Sequence, residues 1–200
     1  MFKLLLIVSL ITLLIYFLTR KVILKNKSKI VLLQYKQGFT LIESGSSIIQ
    51  KAIKNTLLSV GIGLILLIIT LLLAIKIKIL LFLLPISLYL ISQFLLLNNQ
   101  LKYLKNQQIW FNKSTLDVFI ECENGKRIAF NISTDIQRVN AIKAIQKNNE
   151  ILFGYYELIV GNNKLYLPLL LEENPNNKEI FDAIKNNYTI FNKNSLYPII

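Results

Sequence analysis

Two hundred residues, 54% of them hydrophobic, leave room for one modest soluble domain and a few membrane spans. The net charge of +12 is lopsided: residues 1–78 carry eleven Lys/Arg against the single acid Glu43, whereas residues 79–200 carry twelve against ten. Charge held beside apolar runs, and not on the folded half, argues for a membrane and against nucleic acid. One cysteine (Cys122) and no histidine exclude an internal disulfide, a thiolate cluster, histidine-based triads and the usual zinc sites.

Residues 1–19 are expected to form a first transmembrane helix. Its apolar run, Leu4 to Leu18, is preceded by Lys3 and followed by Arg20 and Lys21. A signal peptide is the competing reading, but no small-x-small cleavage site follows Leu18, which favours an uncleaved anchor. Residues 20–56 read as a basic cytoplasmic loop, with a net charge of +7 over 19–56. That charge sets topology, and contact of loop 20–56 with anionic lipid is the second reading. Ile48, Ile49, Ala52 and Ile53, with Lys51 and Lys54, suggest a short amphipathic helix lying on the inner leaflet.

Within that loop, Gly38-Phe39-Thr40-Leu41-Ile42-Glu43 resembles a type IV prepilin cleavage signature. In that family an unbroken hydrophobic helix follows the cut directly. Here Ser44-Gly45-Ser46-Ser47 intervenes and an apolar run precedes the motif, so a chance match in an Ile/Leu/Lys-rich chain is the reading adopted.

Residues 57–98 are expected to be a transmembrane helical hairpin. From Leu57 to Leu97 only Lys76 and Lys78 interrupt the apolar sequence. As one helix this stretch would be about 60 Å long, roughly twice the hydrocarbon thickness, so it must fold back at the two lysines. Gly61 and Gly63 are expected to let the arms approach closely, and Pro85 to kink the second arm. Eight Lys/Arg in loop 20–56 oppose Lys3, Lys76 and Lys78 on the other side. This places the loop, and the domain that follows the hairpin, in the cytoplasm of a multi-pass inner-membrane protein.

Beyond residue 103 the period of the apolar pattern changes to two. Ile109-Trp110-Phe111 opens a strand; Asp117 to Glu123 and Lys126 to Ile132 flank Asn124-Gly125, a strong hairpin signal. Residues 134–147 fit a strand or a helix, because Ile136, Val139, Ile142 and Ile145 recur every three residues. Tyr155 to Val160 and Lys164 to Leu171 read as paired strands, with Pro168 implying an edge. A helix over 177–187 should bury Ile180, Phe181 and Ile184, leaving 188–200 as a tail.

This order, antiparallel strands closed by one helix over residues 103–187, resembles the bacterial pleckstrin-homology-like (PH-like) membrane proteins, in which spans precede one such domain. The resemblance rests on Ile109-Trp110-Phe111 and the hairpin after it, on Asp135-Ile136-Gln137-Arg138-Val139, and on Tyr156-Glu157-Leu158 leading to Leu165-Tyr166-Leu167-Pro168-Leu169-Leu170. It implies a bent antiparallel sheet capped by a helix, and little about mechanism. The expected fold class is therefore three transmembrane α-helices followed by a small α+β domain. An abundance of Lys, Ile and Asn also suggests an AT-rich, bacterial genome.

No catalytic, cofactor-binding or metal residue is assigned. Asp117, Glu121 and Glu123 share one strand face at a spacing that suits a metal or an acid pair, but a solvated face is the simpler reading. The apolar runs contain only Ser9, Thr12, Ser59, Thr70, Ser87, Ser92 and Gln93 as polar groups, without the ionisable side chains that coupled carriers use. The function expected is a binding or scaffold module at the inner membrane face, for an unknown protein partner or a second copy. A small oligomeric pore or transporter accessory subunit is the alternative.

Overall fold

A computed structural model describes residues 38–74, 77–123, 125–145, 147 and 151–200. The expected first span and residues 20–37 of the basic loop lie outside the described residues. Among those described, two helices are long and apolar enough to cross a membrane, and a small sheet-rich domain accompanies them.

The first strand comes before the hairpin. Gly38 adopts φ +81°, and Thr40–Ile42 (β1) follows it. Helix α1 then runs unbroken over Ser46–Ala74. The segment 48–54, expected as a separate amphipathic helix, is instead the opening of this one. At about 1.5 Å per residue, α1 is about 44 Å long, more than the roughly 30 Å thickness of a hydrocarbon layer. Its buried stripe, Ala52, Thr56, Val60, Gly63, Leu64 and Thr70, faces the returning helix.

A 3₁₀ turn over Lys78–Leu83 leads into α2, Leu84–Lys105. Pro85 does not kink the second arm as expected. It sits in the first turn of α2, where no intrahelical donor is required, and its fixed φ helps to start the helix. The two glycines also differ. A Cβ on Gly63 would lie 2.8 Å from Leu90 Cβ and 3.0 Å from the Ser87 main-chain oxygen, whereas one on Gly61 would meet nothing within 4 Å. Only Gly63 permits the close approach.

From α2 the chain enters β2, Gln107–Phe111, which pairs antiparallel with β1 through Thr40 with Phe111, Leu41 with Trp110 and Ile42 with Ile109. Strands β3 (Asp117–Cys122) and β4 (Arg127–Asn131) complete a four-stranded antiparallel sheet in the order β1-β2-β3-β4. The β3–β4 hairpin lies where the Asn124-Gly125 signal indicated; Asn124 itself lies outside the described residues. The sheet domain thus includes residues 40–42, well before the expected start at 103, and the helical hairpin is inserted between two adjacent strands.

A second sheet has the order β7-β6-β5-β8, from β5 (Ile136–Ala144), β6 (Gly154–Val160), β7 (Asn163–Pro168) and β8 (Ile190–Ser195). Residues 136–144 are a strand, which settles the ambiguity in 134–147. Two features gave it a false period of three. A register shift separates Ile136 from Arg138. Past that point both faces are buried: Val139 and Ala141 enter the core between the sheets, while Ala144 lies against the helices. Gly154 closes the far end with φ +154°, where a Cβ would sit 2.3 Å from the Ile142 oxygen.

Pro168 ends β7, an edge strand, as the sequence implied. Leu169 to Leu171, expected to continue the strand, instead belong to a single helical turn, α3, Leu169–Glu172. Helix α4, Lys178–Asn187, buries Ile180, Phe181 and Ile184 as its spacing required. Residues 188–200 are not a free tail. Strand β8 lies parallel to β5, with Val139 opposite Ile190 through Ala144 opposite Ser195, so the sheet is not purely antiparallel.

The main core draws Ile109, Phe111, Val118, Ile120 and Phe130 from the first sheet and Val139, Tyr156, Leu158 and Leu167 from the second, closed by Ile180, Phe181 and Ile184. Because a side chain on Gly63 would run into Leu90 and the Ser87 main chain, Gly63→Leu should destabilise the chain by about 1–3 kcal/mol. Gly61→Leu should be close to neutral. Thermal unfolding of the two variants in detergent micelles checks this difference.

Candidate functional site

Two features of the sheet domain hold polar groups in positions that a simple core does not need. The first joins the hairpin to the domain. Ala52 of α1 and Leu96, Leu97 and Leu101 of α2 pack with Ala144, Ile151, Phe153 and Leu170 in a second apolar cluster. Beside it, the Glu43 main-chain oxygen accepts from Asn174 Nδ2 at 2.7 Å and from Asn177 Nδ2 at 2.8 Å. Asn177 uses its other amide hydrogen on the Leu171 oxygen, also at 2.7 Å. Asn177 is 1% exposed, so these bonds are made out of water, where an unmet carbonyl is costly. The connection from α3 to α4 therefore grips the loop between β1 and α1.

Tyrosines form the other side of this junction. Tyr166 stacks edge-on with Tyr103 of α2 at 6.0 Å and with Tyr155 at 5.4 Å. Gln107 Nε2 donates to the Tyr166 main-chain oxygen at 3.3 Å.

The second feature is a groove of about 320 Å³ between the second sheet, α3 and α4. Lys143 of β5, Tyr156 of β6, Glu172 of α3, the following Glu173, Lys185 of α4 and Asn192 of β8 supply its polar lining, with Leu152, Leu169 and Ile190 as its apolar part. Its volume lies at the low end of small-ligand sites. Glu172 is the hub: Tyr156 OH donates to Oε2 at 2.9 Å and Lys185 pairs with Oε1. Burial, reinforced by the negative charge of Glu172 and the bond to it, pushes the Tyr156 phenol well above its ordinary value of 10.0. Tyr156 is therefore a neutral hydrogen-bond donor at physiological pH.

The strand-face acids are held apart by separate partners. Asp117 accepts from Asn131 Nδ2 at 2.8 Å, and Glu121 pairs with Arg127 at 2.9 Å. The main-chain N–H of Glu123 donates to the Asn106 oxygen at 2.8 Å. Hydrogen bonds from Thr115 and Asn131 hold the Asp117 carboxyl below the usual range. Asp135 is lowered in the same way by the Asn131 main-chain N–H and the Thr134 hydroxyl. These acids brace the corner from β4 to β5. Cys122 packs half-buried against the main core, as a small apolar side chain would.

Neither the groove nor the Asn174/Asn177 grip was found from the sequence. Their residues converge from separated segments, and the only local signal was Asn174-Pro175 at the start of a helix. No protein-family model, curated protein or solved structure matches the chain.

Two expectations follow. Asn177→Asp puts acceptors against the Glu43 and Leu171 carbonyls and should cost about 1–3 kcal/mol. Faster proteolysis within residues 38–46, read by mass spectrometry, checks it. The raised Tyr156 pKa gives stability that is complete below the ordinary phenol value and is lost as pH rises through the folded one. Tyr156→Phe should therefore lessen the loss of thermal stability in strongly alkaline buffer, as seen in melting curves across that range.

Proposed function

We propose that this chain is a multi-pass inner-membrane protein whose sheet domain lies on the cytoplasmic side and acts as a binding or scaffold module. The observation that carries the reading is the insertion of the helical hairpin between β1 and β2. Because Thr40–Ile42 pairs directly with Ile109–Phe111, the hairpin must leave and re-enter the sheet domain on one side of a bilayer. Lys51 and Lys54 on α1 and Lys102 and Lys105 on α2 flank the base of the hairpin, which favours the cytoplasmic side for that base.

The PH-like resemblance belongs to this proposal. In its support, four antiparallel strands are followed by three more and then by α4, which fills the core between the two sheets. In this reading the groove around Tyr156, Glu172 and Lys185 takes a partner segment that supplies hydrogen-bond acceptors and an apolar side chain. Anchorage keeps the module at the membrane surface, which raises its effective concentration for partners confined there.

Single cysteines placed at Lys78 and Lys164 in a Cys122→Ser background test the topology. An impermeant maleimide applied to intact cells should label the Lys78→Cys chain, and should reach Lys164→Cys only after permeabilisation. Labelling of Lys164→Cys in intact cells would contradict the orientation. Crosslinking in native membranes should then return a reproducible second protein; homo-oligomers alone would favour the pore alternative.

A further inference from the structure

Outside the hairpin, the described residues include five large hydrophobic side chains that are strongly exposed: Ile145, Phe191, Leu196, Tyr197 and Ile199. Phe191 has a partner on its ring, Arg138, whose guanidinium carbon stands 4.6 Å from the ring centre. The other four occupy one place. Ala144 lies opposite Ser195 in the β5–β8 pair, and Ile145 N donates to the Ser195 oxygen at 3.2 Å, so Ile145 and Leu196 leave the sheet side by side. This is the end of the sheet that meets the hairpin, since Ala144 packs with Leu96, Leu97 and Leu101 of α2.

Residues 197–200 then lie along α2 itself. Tyr197 stacks on Tyr89 at 5.9 Å, and its hydroxyl is 3.0 Å from Ser92 Oγ. Gln100 Nε2 donates to the Pro198 oxygen at 3.3 Å. Asn99 bonds Ile200 twice, accepting from its N–H at 2.9 Å and donating to its oxygen at 3.1 Å. The rise of a helix puts Ser92 about 10 Å from Asn99 towards the hairpin tip. The segment thus runs over the part of α2 that becomes apolar, with its backbone met by polar side chains of that helix. Irregular backbone tolerates lipid depth only when it is satisfied in this way.

We propose that Ile145, Leu196, Tyr197 and Ile199 form an interfacial wedge that rests in the cytoplasmic leaflet beside α2 and fixes the sheet domain on the bilayer. Lipid is the occupant favoured by the chemistry. The patch is continuous with the lipid-facing surface of α2, and Ile145 and Ile199 are 64% and 53% exposed. Lys147 and Lys193 lie nearby in the chain, suited to reach anionic headgroups. The wedge also accounts for Asn99 and Gln100, whose side chains meet its backbone. The proposal rests on the reading that the hairpin spans a bilayer.

Spin labels on single cysteines test it in the full chain with Cys122→Ser, reconstituted in phosphatidylcholine–phosphatidylglycerol vesicles. Labels replace Ile145, Leu196, Ile199, the hairpin residue Leu58, and Asn162. The last lies in the β6–β7 turn at the opposite end of the second sheet from Gly154. Collision with oxygen relative to a water-soluble nickel chelate should be several-fold higher at the three wedge positions than at Asn162, and highest at Leu58. Wedge labels that match Asn162 while Leu58 remains oxygen-rich would overturn the wedge alone. Leu58 matching Asn162 would overturn the membrane hairpin and the wedge with it.

Discussion

Three residues of β1 hold the architecture together. Thr40, Leu41 and Ile42 pair with Phe111, Trp110 and Ile109, and Thr40 Oγ1 adds a bond to the Phe111 oxygen at 3.1 Å. These partners are separated in sequence by the whole helical hairpin, so the pairing closes a loop that contains both apolar helices. Any arrangement that preserves it must bring the start of α1 and the end of α2 back to the same sheet. A three-residue strand is weak on its own. It is supported by Ile42 in the main core and by the amides of Asn174 and Asn177 on the Glu43 oxygen just beyond it.

That closure ties the two halves of the described chain into one mechanical unit. The second apolar cluster is shared between the helices and β5, so the hairpin is part of the domain's foundation and not a tether. β5 is buried on both faces near its end for this reason. The groove lies on the same elements, since Lys143 of β5 and Glu172 of α3 line it while Asn174 and Asn177 follow directly in the chain.

Much of this was legible in the sequence where local pattern and tertiary role agree. The hairpin helices announced themselves by length and apolarity. The strands β2, β3, β4, β6 and β7 followed from alternation, and α4 from the spacing of Ile180, Phe181 and Ile184. The losses have physical causes. β1 is too short for alternation to register, and its Gly-Phe-Thr-Leu-Ile-Glu context suggested a cleavage signal. β8, Ile-Phe-Asn-Lys-Asn-Ser, has poor strand propensity and exists because β5 offers it a parallel edge. Pro85 marks a helix start because a 3₁₀ turn takes up the residues before it, a division that composition does not encode. The groove and the asparagine grip depend on contacts between distant segments.

The β1–β2 pairing across the hairpin is the central claim, and oxidative crosslinking in the membrane-embedded full chain tests it most directly. In a Cys122→Ser background, Leu41→Cys combined with Trp110→Cys places two thiols on directly opposed residues, whereas Leu41→Cys with Phe119→Cys places the second one strand further on. The account predicts rapid disulfide formation in the first pair and little in the second, read as fragments that stay linked after proteolysis at the hairpin tip. Equal crosslinking of both pairs, or none in the first, would contradict it.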